Sequence, residues 1–98
     1  MNKVYQTKYF RKLQESLEKD EQEWISKVKN QLEENLHIGK QLKYYYLREK
    51  RYRDRRLFFI INPKAKKALL LAYGSKKEQQ LIINKIMSRR HYYFNLIK

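Results

Sequence analysis

The sequence predicts an α+β domain: an N-terminal helical hairpin packed on a small, mostly antiparallel sheet, with a C-terminal helix. Three observations predict it. Apolar residues recur at helical spacing over residues 8–36; Leu42–Leu47 and Leu57–Ile61 are dense in Tyr, Phe and Ile; and a Ser-x-x-Glu box at Ser75–Glu78 precedes another apolar run. With 98 residues, 42% of them hydrophobic, the chain can bury one modest core and reads as a single domain, 1–98.

The short segment Lys3–Thr7 suits an edge strand. Phe10, Leu13 and Leu17 follow at spacings of three and four, as do Trp24 or Ile25, Val28, Leu32 and Leu36. The polar run Glu18–Glu23 interrupts this stripe, which predicts two helices joined near Asp20. Gly39, just after Leu36-His37-Ile38, fits a helix C-cap. Leu42–Leu47 and Leu57–Ile61 then read as paired strands, because aromatic and β-branched side chains suit a half-buried pleated surface. Their link is strongly basic, so the hairpin carries a charged tip. Asn62-Pro63 stops the second strand, since proline offers no ladder donor.

Residues 65–73 admit two readings. Asn62 as N-cap, Pro63 as first helical residue and Gly74 as stop would frame a helix; Ala68–Tyr73 is also a short apolar run fit for a central strand. The box at Ser75–Glu78, with Ile82 and Ile86 behind it, predicts a helix over 76–88. From Arg89 onward the tail either extends that helix or turns into a last strand.

Charge is distributed unevenly. Residues 1–36 hold seven Lys/Arg and seven Asp/Glu, so the whole net charge of +14 belongs to the rest of the chain. Clustered cations attract phosphate and release its counterions, which points to nucleic acid or an acidic protein segment as partner. The absence of cysteine excludes disulfides and thiolate metal sites, and His37 and His91 stand too far apart to build a histidine site, so no metal or cofactor is expected. The start of the chain has no signal-peptide core and no apolar run long enough to span a bilayer. A cytoplasmic protein without membrane contact is the expectation.

The segment Leu47-Arg48-Glu49-Lys50-Arg51-Tyr52-Arg53-Asp54-Arg55-Arg56-Leu57-Phe58-Phe59 resembles a strand–turn–strand of the RelE/ParE superfamily of type II toxin–antitoxin toxins. Leu69–Gln80, running Leu-Leu-Leu-Ala-Tyr-Gly-Ser-Lys-Lys-Glu-Gln-Gln, is similar to the strand that follows, and Thr7–Leu13 and Ile38–Leu42 are similar to its opening. The resemblance covers roughly 3–90. It implies a RelE-like fold, with residues 68–73 as a central strand. It also implies a ribosome-dependent mRNA endonuclease (an mRNA interferase) whose metal-independent chemistry uses the 2′-hydroxyl to attack the adjacent phosphodiester, leaving a cyclic phosphate. The partners implied are mRNA, the ribosome and a cognate antitoxin, acidic or amphipathic and DNA-binding.

Such chemistry needs cations where the phosphorane charge develops and a proton acceptor and donor in line. By the resemblance Arg56 matches the catalytic strand arginine, Arg48 sits on the partner strand, and Lys76 and Lys77 match the basic pair after the fourth strand. His91 and Tyr92, after Arg89-Arg90, resemble the Arg-x-His-Tyr ending of some relatives and would serve in proton transfer. Lys50, Arg51, Arg53, Arg55 and Lys76 would bind the RNA backbone, with Tyr52 stacking on a base. One departure is plain: Tyr44 and Tyr46 stand where some relatives carry lysines. Two other functions fit the residues, a ParE-like gyrase inhibitor on the same fold and a non-catalytic nucleic-acid-binding regulator in which 63–73 and 76–88 form a helix-turn-helix.

Overall fold

A computed structural model describes all of residues 1–98. The elements are β1 (Lys3–Gln6), α1 (Lys8–Glu15), α2 (Lys19–Glu34), β2 (Lys40–Gln41), β3 (Leu47–Tyr52), β4 (Arg55–Asn62) and β5 (Lys67–Ser75), then a 3₁₀ turn (Lys76–Glu78), α3 (Gln79–Ser88) and α4 (Arg90–Leu96). The class is α+β: four helices and one five-stranded mixed sheet in the order β1-β5-β4-β3-β2. Only β1 lies parallel to its neighbour, β5; the other pairs are antiparallel.

Strand β4 explains the layering. Leu57 through Ile61 are all buried, so the sheet must be covered on both faces. Leu57, Phe59 and Ile61 join Phe10 of α1 and Ile25, Val28 and Leu32 of α2 in one core. Phe58 and Ile60 face the other way, onto Ile86 of α3 and Ile97 beyond α4. A bulge adapts β5 to this: Phe58 pairs with Ala72 and Phe59 with Leu70, so Leu71 and Ala72 both lie against the second core. The apolar run in 67–75 is therefore a strand, as the family resemblance implied, and the helix-turn-helix built on it does not form.

Four expectations are corrected. The first strand of the basic hairpin spans Leu47–Tyr52, not Leu42–Leu47. Residues 42–46 instead form a turn closed by Leu42 N–H on the Leu47 carbonyl at 2.9 Å and Leu47 N–H on the Tyr44 carbonyl at 3.0 Å. Tyr44 and Tyr46 stack at 5.6 Å and Tyr46 packs edge-on against Phe94 at 4.7 Å, so the tyrosines gain burial without a ladder. Hence most of the basic run is the strands themselves, and the turn is only Arg53-Asp54, with Arg53 at φ 56°. The helix junction lies at Ser16–Glu18, ahead of Asp20, because the Ser16 hydroxyl closes α1 on the Leu13 carbonyl at 2.6 Å. The two helices pack chiefly on the sheet, where Phe10 and Ile25 meet β4 and β5. Helix α2 ends at Glu34 with Asn35 as its cap, so Gly39 is not that cap; its φ of 75° turns the chain into β2. The Ser75 box forms, with Ser75 N–H donating to Glu78 at 2.9 Å, but it opens a 3₁₀ turn ahead of α3, and the tail is a separate helix broken at Arg89. No helix is long and apolar enough to cross a membrane.

A side chain at Gly39 would be strained twice, by its left-handed backbone and by the Glu49 carbonyl oxygen lying in the way of a Cβ. Gly39→Ala is expected to lower stability by about 2 kcal/mol or more, read from the urea midpoint at unchanged m.

Candidate nucleic-acid interface

Pleating sorts the basic hairpin into two faces. Tyr52 and Arg55 turn toward α2; Glu49, Arg51 and Arg56 turn toward α3. On the α2 side the first helical turn supplies carboxylates. Tyr52 donates to Asp20 at 3.1 Å and Tyr73 to Glu21 at 2.6 Å, while Arg53 meets Asp20 at 3.0 Å and Arg55 approaches Glu21 at 3.9 Å. Trp24 stacks on Tyr52 at 4.8 Å. The helix N-terminus favours these acids in turn. Burial first, and then the bond to Glu21, push the Tyr73 hydroxyl well above the usual tyrosine range; desolvation and the bond to Asp20 raise the Tyr52 hydroxyl. Tyr52 thus braces α2 and is not a free stacking platform, and Arg53 and Arg55 already hold intramolecular partners.

On the α3 side lies a different arrangement. Arg56 Nε donates to Glu49 Oε2 at 2.9 Å, and both residues are buried, with only 9% and 6% of their surfaces exposed. The side-chain amide of Gln79, at the start of α3, donates to the other Glu49 oxygen. Arg51 stands directly across the ladder from Arg56 on the same face, a like-charge pairing that destabilises a sheet unless something else compensates it. Gly74 faces Arg56 from β5, and its missing side chain leaves room for Ile82 of α3. Arg56, Glu49 and Arg51 line a cleft of about 370 Å³ with Gly39, Lys40 and Lys50, and no hydrophobic residue takes part. Lys40, Lys50 and Arg51 enter no ion pair. The exposed Lys76 and Lys77 follow Ser75, which pairs with Arg55, so they arrive at the same end of the sheet. They sit in a three-residue 3₁₀ turn, not in the first turn of an α-helix.

Arg48 has another task. It is buried on β3 and donates to the carbonyls of Ile38 at 2.9 Å, His37 at 2.9 Å and Gly39 at 3.2 Å, fastening the loop that leads into β2. Its guanidinium is spent on backbone, so a catalytic role for Arg48 is withdrawn. His91 and Tyr92 are not brought to Arg56 either. Both are exposed on α4, and Tyr92 lines a separate cavity with Gln6 and Tyr9 near the β1 edge. Sequence reasoning overlooked Glu49 and Gln79; the one carboxylate within an otherwise basic strand, two positions from Arg51 on its face, was the available signal. No cluster of three His, Cys, Asp or Glu side chains offers a metal site.

No protein-family model, no curated protein and no solved structure matches this chain.

Two outcomes follow from these contacts. Arg48→Met leaves three carbonyls without their donor and is expected to cost about 3 kcal/mol or more in urea unfolding, against less than about 0.5 kcal/mol for exposed Arg51→Ala. Because the folded state holds the Tyr73 hydroxyl protonated beyond its unfolded range, its contribution is complete below about pH 10 and is lost as pH rises further. Tyr73→Phe is expected to flatten the alkaline limb of a stability–pH curve.

Proposed function

We propose that this chain is the toxin of a type II toxin–antitoxin pair, of RelE/ParE type and RelE-like fold, and that it cleaves mRNA on the ribosome in the cytoplasm. The observation that carries this reading is the buried Arg56–Glu49 pair, opening into a polar cleft whose remaining side chains are unpaired cations. Lys40, Lys50 and Arg51, with Lys76 and Lys77 nearby, would draw in the RNA backbone and set its path. Arg56, held rigid in the central strand, presents a planar donor group to the scissile phosphate. Glu49 is the only carboxylate lining the cleft. It would accept the 2′-hydroxyl proton as O2′ bonds to phosphorus; the bond from phosphorus to the 5′-oxygen breaks and that oxygen takes a proton from solvent, leaving a cyclic phosphate and a 5′-hydroxyl end. The antitoxin would cover this basic surface.

A gyrase inhibitor on the same fold is the second reading. What favours it is that Glu49 is already held by Arg56 and Gln79, one on each oxygen, as a structural ion pair would be, and gyrase inhibition requires no proton acceptor.

The test is a purified ribosome complex programmed with a defined mRNA, with new 5′ ends mapped by primer extension. Wild type is expected to produce codon-phased ends; Glu49→Gln and Arg56→Lys each slow the cleavage by about 10²–10⁴-fold while melting as folded proteins. Lys76→Ala with Lys77→Ala is expected to weaken it by about 10-fold and to reduce its salt dependence. Full activity in Glu49→Gln, or gyrase-trapped DNA breaks in place of RNA ends, would sink the nuclease reading.

A further inference from the structure

Strand β1 covers only the first part of its neighbour: its register with β5 runs from Lys67 to Leu70. Beyond that point Ala72–Ser75 are paired with β4 on one side, and no strand lies on the other. An open edge of this kind is a template for another strand. It lies at the bottom of a groove between α1 and α3, where Tyr9 on one wall faces Leu81 and Ile82 on the other, over Ala72 and Tyr73, with a volume of about 270 Å³. Past Tyr9 and Arg89 the groove continues into a second cavity of about 390 Å³ floored by Gln6 and Thr7 and walled by Tyr92 and Tyr93.

Three features say what belongs there. Large apolar side chains stand in solvent along this path, Tyr9 at 68% exposure, Leu81 at 59% and Tyr92 at 54%. The Gln6 side-chain oxygen at the floor is buried and accepts from no donor, so an occupant with N–H groups would relieve it. The charged rim is cationic: Lys8, Lys85 and Arg89 line the groove and none is ion-paired, whereas its carboxylate, Glu78, is tied back to Ser75.

We propose that the open edge of β5 and its flanking groove bind an extended segment of a partner polypeptide, alternating apolar and acidic residues, by adding a strand to the sheet. Strand addition supplies affinity through main-chain bonds, while alternate side chains fill the Tyr9–Leu81 slot and meet the lysines and Arg89. A nucleic acid cannot continue a ladder of N–H and C=O groups, and a second copy would bring Lys85 and Arg89 against their own duplicates. The groove is separate from the Arg56 cleft, and its test reads binding and not cleavage, so the two proposals stand or fall independently.

The test uses the full chain and an acetylated, fluorescent peptide of alternating Ile and Glu. Expected are saturable binding, slowed amide exchange confined to residues 71–75, and an affinity at least about 10-fold lower for an Ile/Gln peptide of equal length. Leu81→Asp with Arg89→Glu, both at exposed positions, should weaken the Ile/Glu peptide by at least about 10-fold without changing the melting temperature, while Arg51→Ala should not. Equal binding to the double variant, or protection elsewhere than β5, overturns the proposal. So does displacement of the peptide by an oligoribonucleotide, or a concentration-dependent dimer in sedimentation that the double variant abolishes.

Discussion

Five consecutive residues of β4, Leu57 to Ile61, are removed from water, and no single layer can do that for a pleated strand. Each such side chain is worth about 1.5–3 kcal/mol only if its own face of the sheet is roofed. The chain roofs one face with α1 and α2 and the other with α3 and the segment ending at Ile97. The connections serve this need: Asn62 donates to the Ile97 carbonyl at 2.9 Å, tying the end of the tail to the end of β4. The β5 bulge is the local adjustment that lets a second strand present Leu71 and Ala72 to the same roof.

The candidate site arises where this apolar demand stops. At Arg56 and Arg55 the strand becomes charged, and each roof ends there in polar groups. On one face Asp20 and Glu21 answer Arg53 and Arg55; on the other Glu49, itself held by Gln79, answers Arg56. The two faces do not have equal value. The exposed Arg53 and Arg55 pairs contribute little in water. The Arg56–Glu49 pair is desolvated, and such pairs rarely gain net stability over apolar packing of the same shape, though breaking one is costly. What the pair does supply is direction: it aims a guanidinium at the cleft in a fixed position, which is what phosphate recognition requires.

The apolar part of this design was legible. The run Leu57–Ile61, the helical stripes before and after it, and the Ser75–Glu78 box all express local rules, and each marks a real element. The basic hairpin was not legible as strand because Leu-Arg-Glu-Lys-Arg-Tyr has no apolar alternation. Its buried members Arg48 and Glu49 are satisfied by partners seven to thirty positions away, at His37, Ile38, Gly39, Arg56 and Gln79. Tyr44–Tyr46 misled for the converse reason, being strand-prone residues that find burial through stacking in a turn. At the site, the clustering of cations could be read from the sequence, but their division could not. Which arginines are neutralised, which is structural and which remain open depends on where the N-termini of α2 and α3 arrive.

That division also says how ligand binding and folding are linked. Of 24 Lys and Arg side chains only Arg53, Arg55 and Arg56 sit in ion pairs, and Asp20 and Glu21 of α2 are already engaged with two of them. The remaining cations repel one another across a small domain, a cost set by ionic strength and by whatever anion is present. Arg51 stands opposite Arg56, where the like-charge approach is offset by Glu49, which already pairs with Arg56. An anion bound among the remaining cations relieves their repulsion only in the folded state, so it stabilises the fold by mass action in proportion to its affinity. Any anion held in the cleft would therefore be linked to the stability of the sheet.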